Sequence, residues 1–131
     1  MTLPTPTEYS EQVAFVQWLR LKGIPHFRVP NETYTTSYKQ KATNKALGVS
    51  AGVCDLFVVL PYSCIIGIEM KRRKNSTTSP AQQQWIETLN TVPNVQAYVA
   101  KGADEAIAIV ERLLNKSLMV SPLPKPDTSL F

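Results

Sequence analysis

The chain has 131 residues, of which 44% are apolar and 18% charged; that is a one-domain length with enough hydrophobic material for a single core, and it excludes global disorder. The net charge of +4 permits a polyanionic partner such as nucleic acid but does not demand one. A lone histidine, His26, and two cysteines outside any CxxC pair leave no structural zinc pattern; the polar, Pro-rich start and the lack of an apolar run near the roughly 20 residues that span a bilayer lead to the expectation of a soluble, cytoplasmic protein.

Taken in chain order, Glu8 to Lys22 reads as a helix, with Ala14, Phe15, Trp18 and Leu19 at helical spacing and Gly23 and Pro25 ending it. A short strand follows from His26 to Val29, stopped by Pro30. Asn31 to Ser50 is polar, carries Lys39, Lys41 and Lys45 beside Tyr34 and Tyr38, and reads as a long loop with room for a short helix. Cys54 to Leu60 and Cys64 to Lys71 are β-prone runs joined by Pro61-Tyr62-Ser63, and their continuous apolar character predicts strands buried on both faces. Both cysteines fall in these runs and are expected as buried free thiols in a reducing compartment. After the basic stretch that begins at Lys71, Ser79 is a natural N-cap and Pro80 a natural first residue for a helix reaching Asn90. Val95 to Val99 reads as a strand. Ala103 to Leu114 is an amphipathic helix with Ala106, Ile107, Val110, Leu113 and Leu114 on one face. The order helix, strand, strand, strand, helix, strand, helix predicts an α/β sandwich with a mixed central sheet. Residues 1–7 are expected to be flexible, 8–116 to form the domain, and 117–131 to be an irregular tail.

Three carboxylates stand in apolar surroundings. Glu69 lies in a run of Ile, Gly and Met, and strand periodicity turns it to the same face as Lys71. Asp55 precedes the partner run, so a hairpin brings it to the same physical end as Glu69. Glu11 heads a stripe whose later members are Ala14, Phe15, Trp18 and Leu19, and the same test singles out Gln82 ahead of Trp85, Ile86 and Leu89. An unpaired buried carboxylate is costly, by several kcal/mol, unless it is neutralised, paired or bound to a cation. Converging acids with one lysine therefore point to a hard divalent cation with oxygen ligands, which polarises a phosphate and acidifies a water, with Lys71 beside it. Basic residues nearby would draw in a DNA backbone.

Gly52-Val53-Cys54-Asp55-Leu56 followed by Ile68-Glu69-Met70-Lys71 resembles the catalytic signature of the PD-(D/E)XK nuclease superfamily. More narrowly, the chain resembles the VRR-NUC family in its stand-alone, phage or bacterial form. The segments Val29-Pro30-Asn31, Gly48 to Gly52 and Ser79-Pro80-Ala81-Gln82 with Trp85, and the first helix with Glu11, carry that likeness from about Glu8 to Leu114. Cys54 occupies the place of the superfamily's proline. The resemblance implies a restriction-endonuclease-like αβββαβ core and Mg²⁺-dependent hydrolysis of DNA, Mn²⁺ substituting, in a bacterial or phage-infected cell. It implies metal ligands at Asp55, Glu69 and the Met70 carbonyl, with Glu11 bound directly or through water. It makes Lys71 the general base or charge stabiliser and Gln82 a support for the site. It implies a homodimer that cuts branched DNA in the manner of a Holliday junction resolvase.

Blander readings accompany each residue. Glu69 and Lys71 fit a sheet-edge ion pair, Asp55 a turn cap, Glu11 a helix-dipole acid, and Gln82 a first-turn polar residue. Arg72, Arg73 and Lys74 fit a solvated charge cluster, although their exit from the acidic site favours phosphate contact, as do Lys39, Lys41 and Lys45. A sequence-specific endonuclease of homing or restriction type would need base-reading elements, for which the 31–50 segment is the sole candidate. A non-catalytic DNA-binding module that kept the fold is the reading from another class. Asp55, Glu69 and Lys71 are all present, which speaks against it.

Overall fold

The computed structural model describes residues 4–30 and 37–118. Asn31, Tyr34 and nearly all of the expected tail lie outside the described residues.

Helix α1, Glu8–Leu21, starts where the Thr7 hydroxyl accepts the Ser10 N–H at 3.1 Å. Its Phe15 and Leu19 are fully buried and Trp18 packs against the same core, whereas Ala14 is exposed. Gly23, with φ +66°, turns the chain into strand β1, His26–Arg28. His26 bonds the Ile24 carbonyl through Nδ1 at 2.8 Å, a local structural contact. Between β1 and the next strand lies helix α2, Tyr38–Ala46, capped by Ser37 and without a buried residue. The polar 31–50 segment is therefore partly helical, in the place where a short helix had room.

Strands β2, Leu56–Leu60, and β3, Cys64–Lys71, form the hairpin, with Leu56 opposite Ile68 and Leu60 opposite Cys64. Helix α3, Pro80–Leu89, leads to strand β4, Val95–Lys101, which runs parallel to β3, and helix α4, Ala103–Leu118, follows. The sheet order is β1-β2-β3-β4, antiparallel except for its last pair, so the mixed sheet expected from the sequence is present. α4 continues to Leu118, past the expected start of the tail.

Alternation along the strands divides the sheet into two faces. One carries Leu56, Val58, Ile66, Ile68, Met70 and Ala100, and packs on Phe15 and Leu19 of α1 and on Ala106, Val110 and Leu113 of α4. The other carries Phe57, Val59, Gly67, Glu69 and Lys71 and receives α3, whose contacts reach β3 and β4. Burial on both faces holds for β3, which is buried continuously from Ile66 to Met70, but not for β2. In β2 only Leu56, Val58 and Leu60 are buried. The reason is the reach of α3: it does not extend over β2, where Phe57 instead stacks on a half-exposed Phe27 with ring centroids 5.4 Å apart.

Candidate active site

β2 begins at Leu56, one residue after the aspartate. At the Met70 amide the ladder has therefore run out of backbone, and the Asp55 side chain takes over: the Met70 N–H donates to Asp55 Oδ2 at 3.2 Å. In an extended strand the N–H and C=O of one residue point to the same neighbour, so the Met70 carbonyl is directed to the Asp55 side as well. Cys54, fully buried, packs its sulfur over Gly67, where a Cβ would come within 3.1 Å of it. Burial pushes the Cys54 thiol up to about 12, with the Glu69 and Asp55 charges adding to the shift, so it stays protonated and inert.

Glu69 is 2% exposed. Its Oε1 accepts from Gln82 Nε2 at 2.8 Å and lies 3.7 Å from Lys71 Nζ. Gln82 is held for this task by its own helix. Its Oε1 accepts the Ser79 N–H at 2.9 Å while Ser79 Oγ accepts the Gln82 N–H at 3.2 Å, a capping box that leaves the amide NH₂ aimed at Glu69. The first-turn polar role and the site role are thus both performed by one side chain.

Glu69 Oε2 is buried without a hydrogen-bond partner among the described residues. Burial pushes this carboxyl up to about 8, the Asp55 charge adds to that, the Lys71 ammonium opposes it, and a hydrogen bond to Asp55 and the charge of Glu8 raise it further. The two carboxyls are thus within hydrogen-bonding reach, yet as two carboxylates they have no hydrogen between them. Either a proton or a cation must fill that role. Two carboxylates and a backbone carbonyl form an all-oxygen donor set of the kind that hard divalent cations take, so the residues fit Mg²⁺. Among the described residues no third acid, histidine or cysteine completes a three-residue cluster with them.

The loop carrying Asp55 is pressed against the helix carrying Gln82. Gly52 has φ +88°, and a Cβ there would lie 2.6 Å from the Ala81 carbonyl carbon and 2.8 Å from the Gln82 nitrogen. Only glycine permits both the conformation and the approach.

No family model and no curated protein matches the sequence. Among solved structures, a VRR_NUC domain protein superposes with a TM-score of 0.70 at 29% identity, over 86% of this chain and 92% of that one. The resemblance to the VRR-NUC family thus extends from the sequence to the structure. The mixed sheet flanked by helices is the VRR-NUC fold, and the domain is of nuclease type.

Within this domain Asp55, Glu69, Met70, Lys71 and Gln82 come together. Glu11 is placed elsewhere. It is 5% exposed, accepts the Ala103 N–H at 2.7 Å at the start of α4, and pairs with Arg73 Nε at 3.3 Å. Arg73 in turn reaches the exposed Asp104 at 3.1 Å, so its charge is paired with acids of the same chain. Arg72 and Lys74 are exposed, as are Lys39, Lys41 and Lys45 on α2, where Lys41 lies 6.0 Å from the Tyr38 ring.

The acid of α1 that acts on Glu69 is Glu8, a residue that the apolar-stripe test passed over. With Asp55 it lines a cleft between α1 and β1. The signal was a second line along the helix: Glu8, Gln12, Val16 and Arg20 recur every fourth residue, beside the buried line rather than on it.

Proposed function

We propose that this domain is a metal-dependent endonuclease that hydrolyses phosphodiester bonds in DNA, branched DNA included. The observation that carries the reading is the orphaned Glu69 Oε2, buried against Asp55 in an all-oxygen setting. Asp55, Glu69 and the Met70 carbonyl would hold Mg²⁺ or Mn²⁺, with Glu8 acting at longer range. When bound, the cation would polarise the scissile phosphate and acidify a water.

The remaining duties fall to the chain itself. Lys71 sets a positive charge beside Glu69, where it orients the attacking water and offsets the charge that develops on the phosphate. Gln82 fixes the Glu69 rotamer through its amide. Arg72, Lys74 and the α2 lysines, exposed and basic, attract the DNA backbone without reading its sequence. A two-fold dimer, as the resemblance implies, would set two such sites against two strands, and sedimentation equilibrium reads it directly.

The test is cleavage of labelled four-way junction, flap, single-stranded and linear duplex DNA in Mg²⁺, Mn²⁺ and chelator. The expected result is metal-dependent cutting that is lost in Lys71→Ala and Glu69→Gln. DNA binding without cutting in any metal would leave a binding module with a nuclease fold.

A further inference from the structure

The cleft between α1 and the edge strand β1 encloses about 670 Å³, and the site residues account for only one end of it. That end is acidic, lined by Glu8 and Asp55; the far end is lined by Arg20 and Arg28. Both arginines are exposed, and neither is ion-paired among the described residues. Between the two ends run Val13 and Val16, with the exposed ring of Tyr9 beside them. Glu8 and Arg20 are twelve residues apart on one helix, or about 18 Å at the rise of an α-helix.

This arrangement is a polarised trough. A polyanion approaches its acidic end only through a cation, and its basic end without help. Arginine offers a planar fork to phosphate oxygens. The Tyr9 ring offers a face on which any base can stack, and Val13 and Val16 an apolar wall beside it. The volume falls in the range of about 300–1,000 Å³ that encloses small organic ligands. It suits a nucleotide or two of an unpaired strand.

The geometry points to this cleft as a channel for an unpaired DNA strand. Arg20 and Arg28 hold phosphates further along the strand from the one being cut, and Tyr9, Val13 and Val16 lie against the bases between. The substrate would then carry a flap, a frayed end or a single-stranded arm. The inference rests on the nuclease reading for the identity of the chain that enters, and binding rather than cleavage tests it, so the two can fail separately.

The probe is a short fluorescein-labelled oligothymidylate, titrated with the full chain in Ca²⁺, a cation with the same oxygen-ligand preference, at several salt concentrations. Arg20→Ala, Arg28→Ala and the double variant are compared with Lys116→Ala on a remote surface; all these positions are exposed, so folding should be unaffected. The expected result is an affinity at least about tenfold lower in the double variant, a salt slope smaller by about 0.7 for each arginine, and no change in Lys116→Ala. Wild-type affinity and slope in the double variant would overturn the channel, and so would a wild-type protein that binds no oligomer. If the same wild-type protein cuts DNA in Mg²⁺ while the double variant binds normally, the channel alone fails. If oligomer binding depends on the arginines in a protein that cuts nothing, the nuclease reading alone fails.

Discussion

Glu69 concentrates the physics of this domain. Its ordinary value near 4.5 rises to about 8 in the folded chain, chiefly because the carboxyl is buried and Asp55 is beside it. The unfolded chain releases this proton near pH 4.5 and the folded chain only near 8, so between those values the unfolded state gains as pH rises. In chelator, the melting temperature is therefore expected to fall from about pH 5 to about pH 8 and to level off above, and Glu69→Gln is expected to flatten that profile. A melting temperature that rises over this range would remove the argument. Gln82 depends on Glu69 from the other side. Ser79→Ala removes the cap that aims it, with an expected cost of about 1 kcal/mol in stability. Gln82→Ala should lower cleavage by about 10- to 100-fold, as loss of a supporting hydrogen bond to a metal ligand does. Chemical denaturation and single-turnover cleavage check the two.

At the scale of elements, α1 carries two acids with different work. Glu11 staples α1 to the N-terminus of α4 by accepting the Ala103 amide, and holds Arg73 where β3 ends. Glu11→Ala leaves a buried amide without its acceptor and is expected to cost about 1–3 kcal/mol. Mg²⁺ affinity, read by calorimetric titration, is expected to survive that change and to weaken in Glu8→Gln. The opposite pattern would return Glu11 to the metal. The 48–53 loop is another joint between elements. Gly52→Ala introduces strain at φ +88° and a clash with the α3 backbone, so it should cost more than the roughly 1 kcal/mol of an ordinary glycine change. It should also lower cleavage, because Asp55 and Gln82 are set against each other through that contact.

For the molecule as a whole, cation binding and folding are linked. The two carboxylates oppose folding when ionised and alone, and a cation between them reverses the effect. Mg²⁺ at about a hundred times its dissociation constant should add about 2.7 kcal/mol to stability at about pH 8. Asp55→Asn and Glu69→Gln should abolish that increment, and thermal unfolding with and without the ion measures it. Across the domain, α3 covers only the β3–β4 half of one sheet face, while α1 crosses the opposite face and leaves a trough along the edge strand. The acidic site lies where the two meet, at Asp55.

Much of this was legible in the chain itself, because its signals are local. The strand Cys64–Lys71 has the limits that its apolar run gives it. Helix α3 starts at the Ser79-Pro80 cap, and an acid followed two residues later by a lysine on a buried strand has one face to share. What the tertiary structure decided depends on how elements are turned against one another. Glu8 and Glu11 are one turn apart on the same helix, and the seating of Phe15 and Leu19 in the core sets the rotation that sends Glu11 to α4 and Glu8 to the cleft. Arg73 reads as a phosphate ligand until Asp104, 31 positions on, is folded beside it. β2 reads as doubly buried until the reach of α3 is known. Periodicity tells which residues share a face, but only packing tells what that face meets.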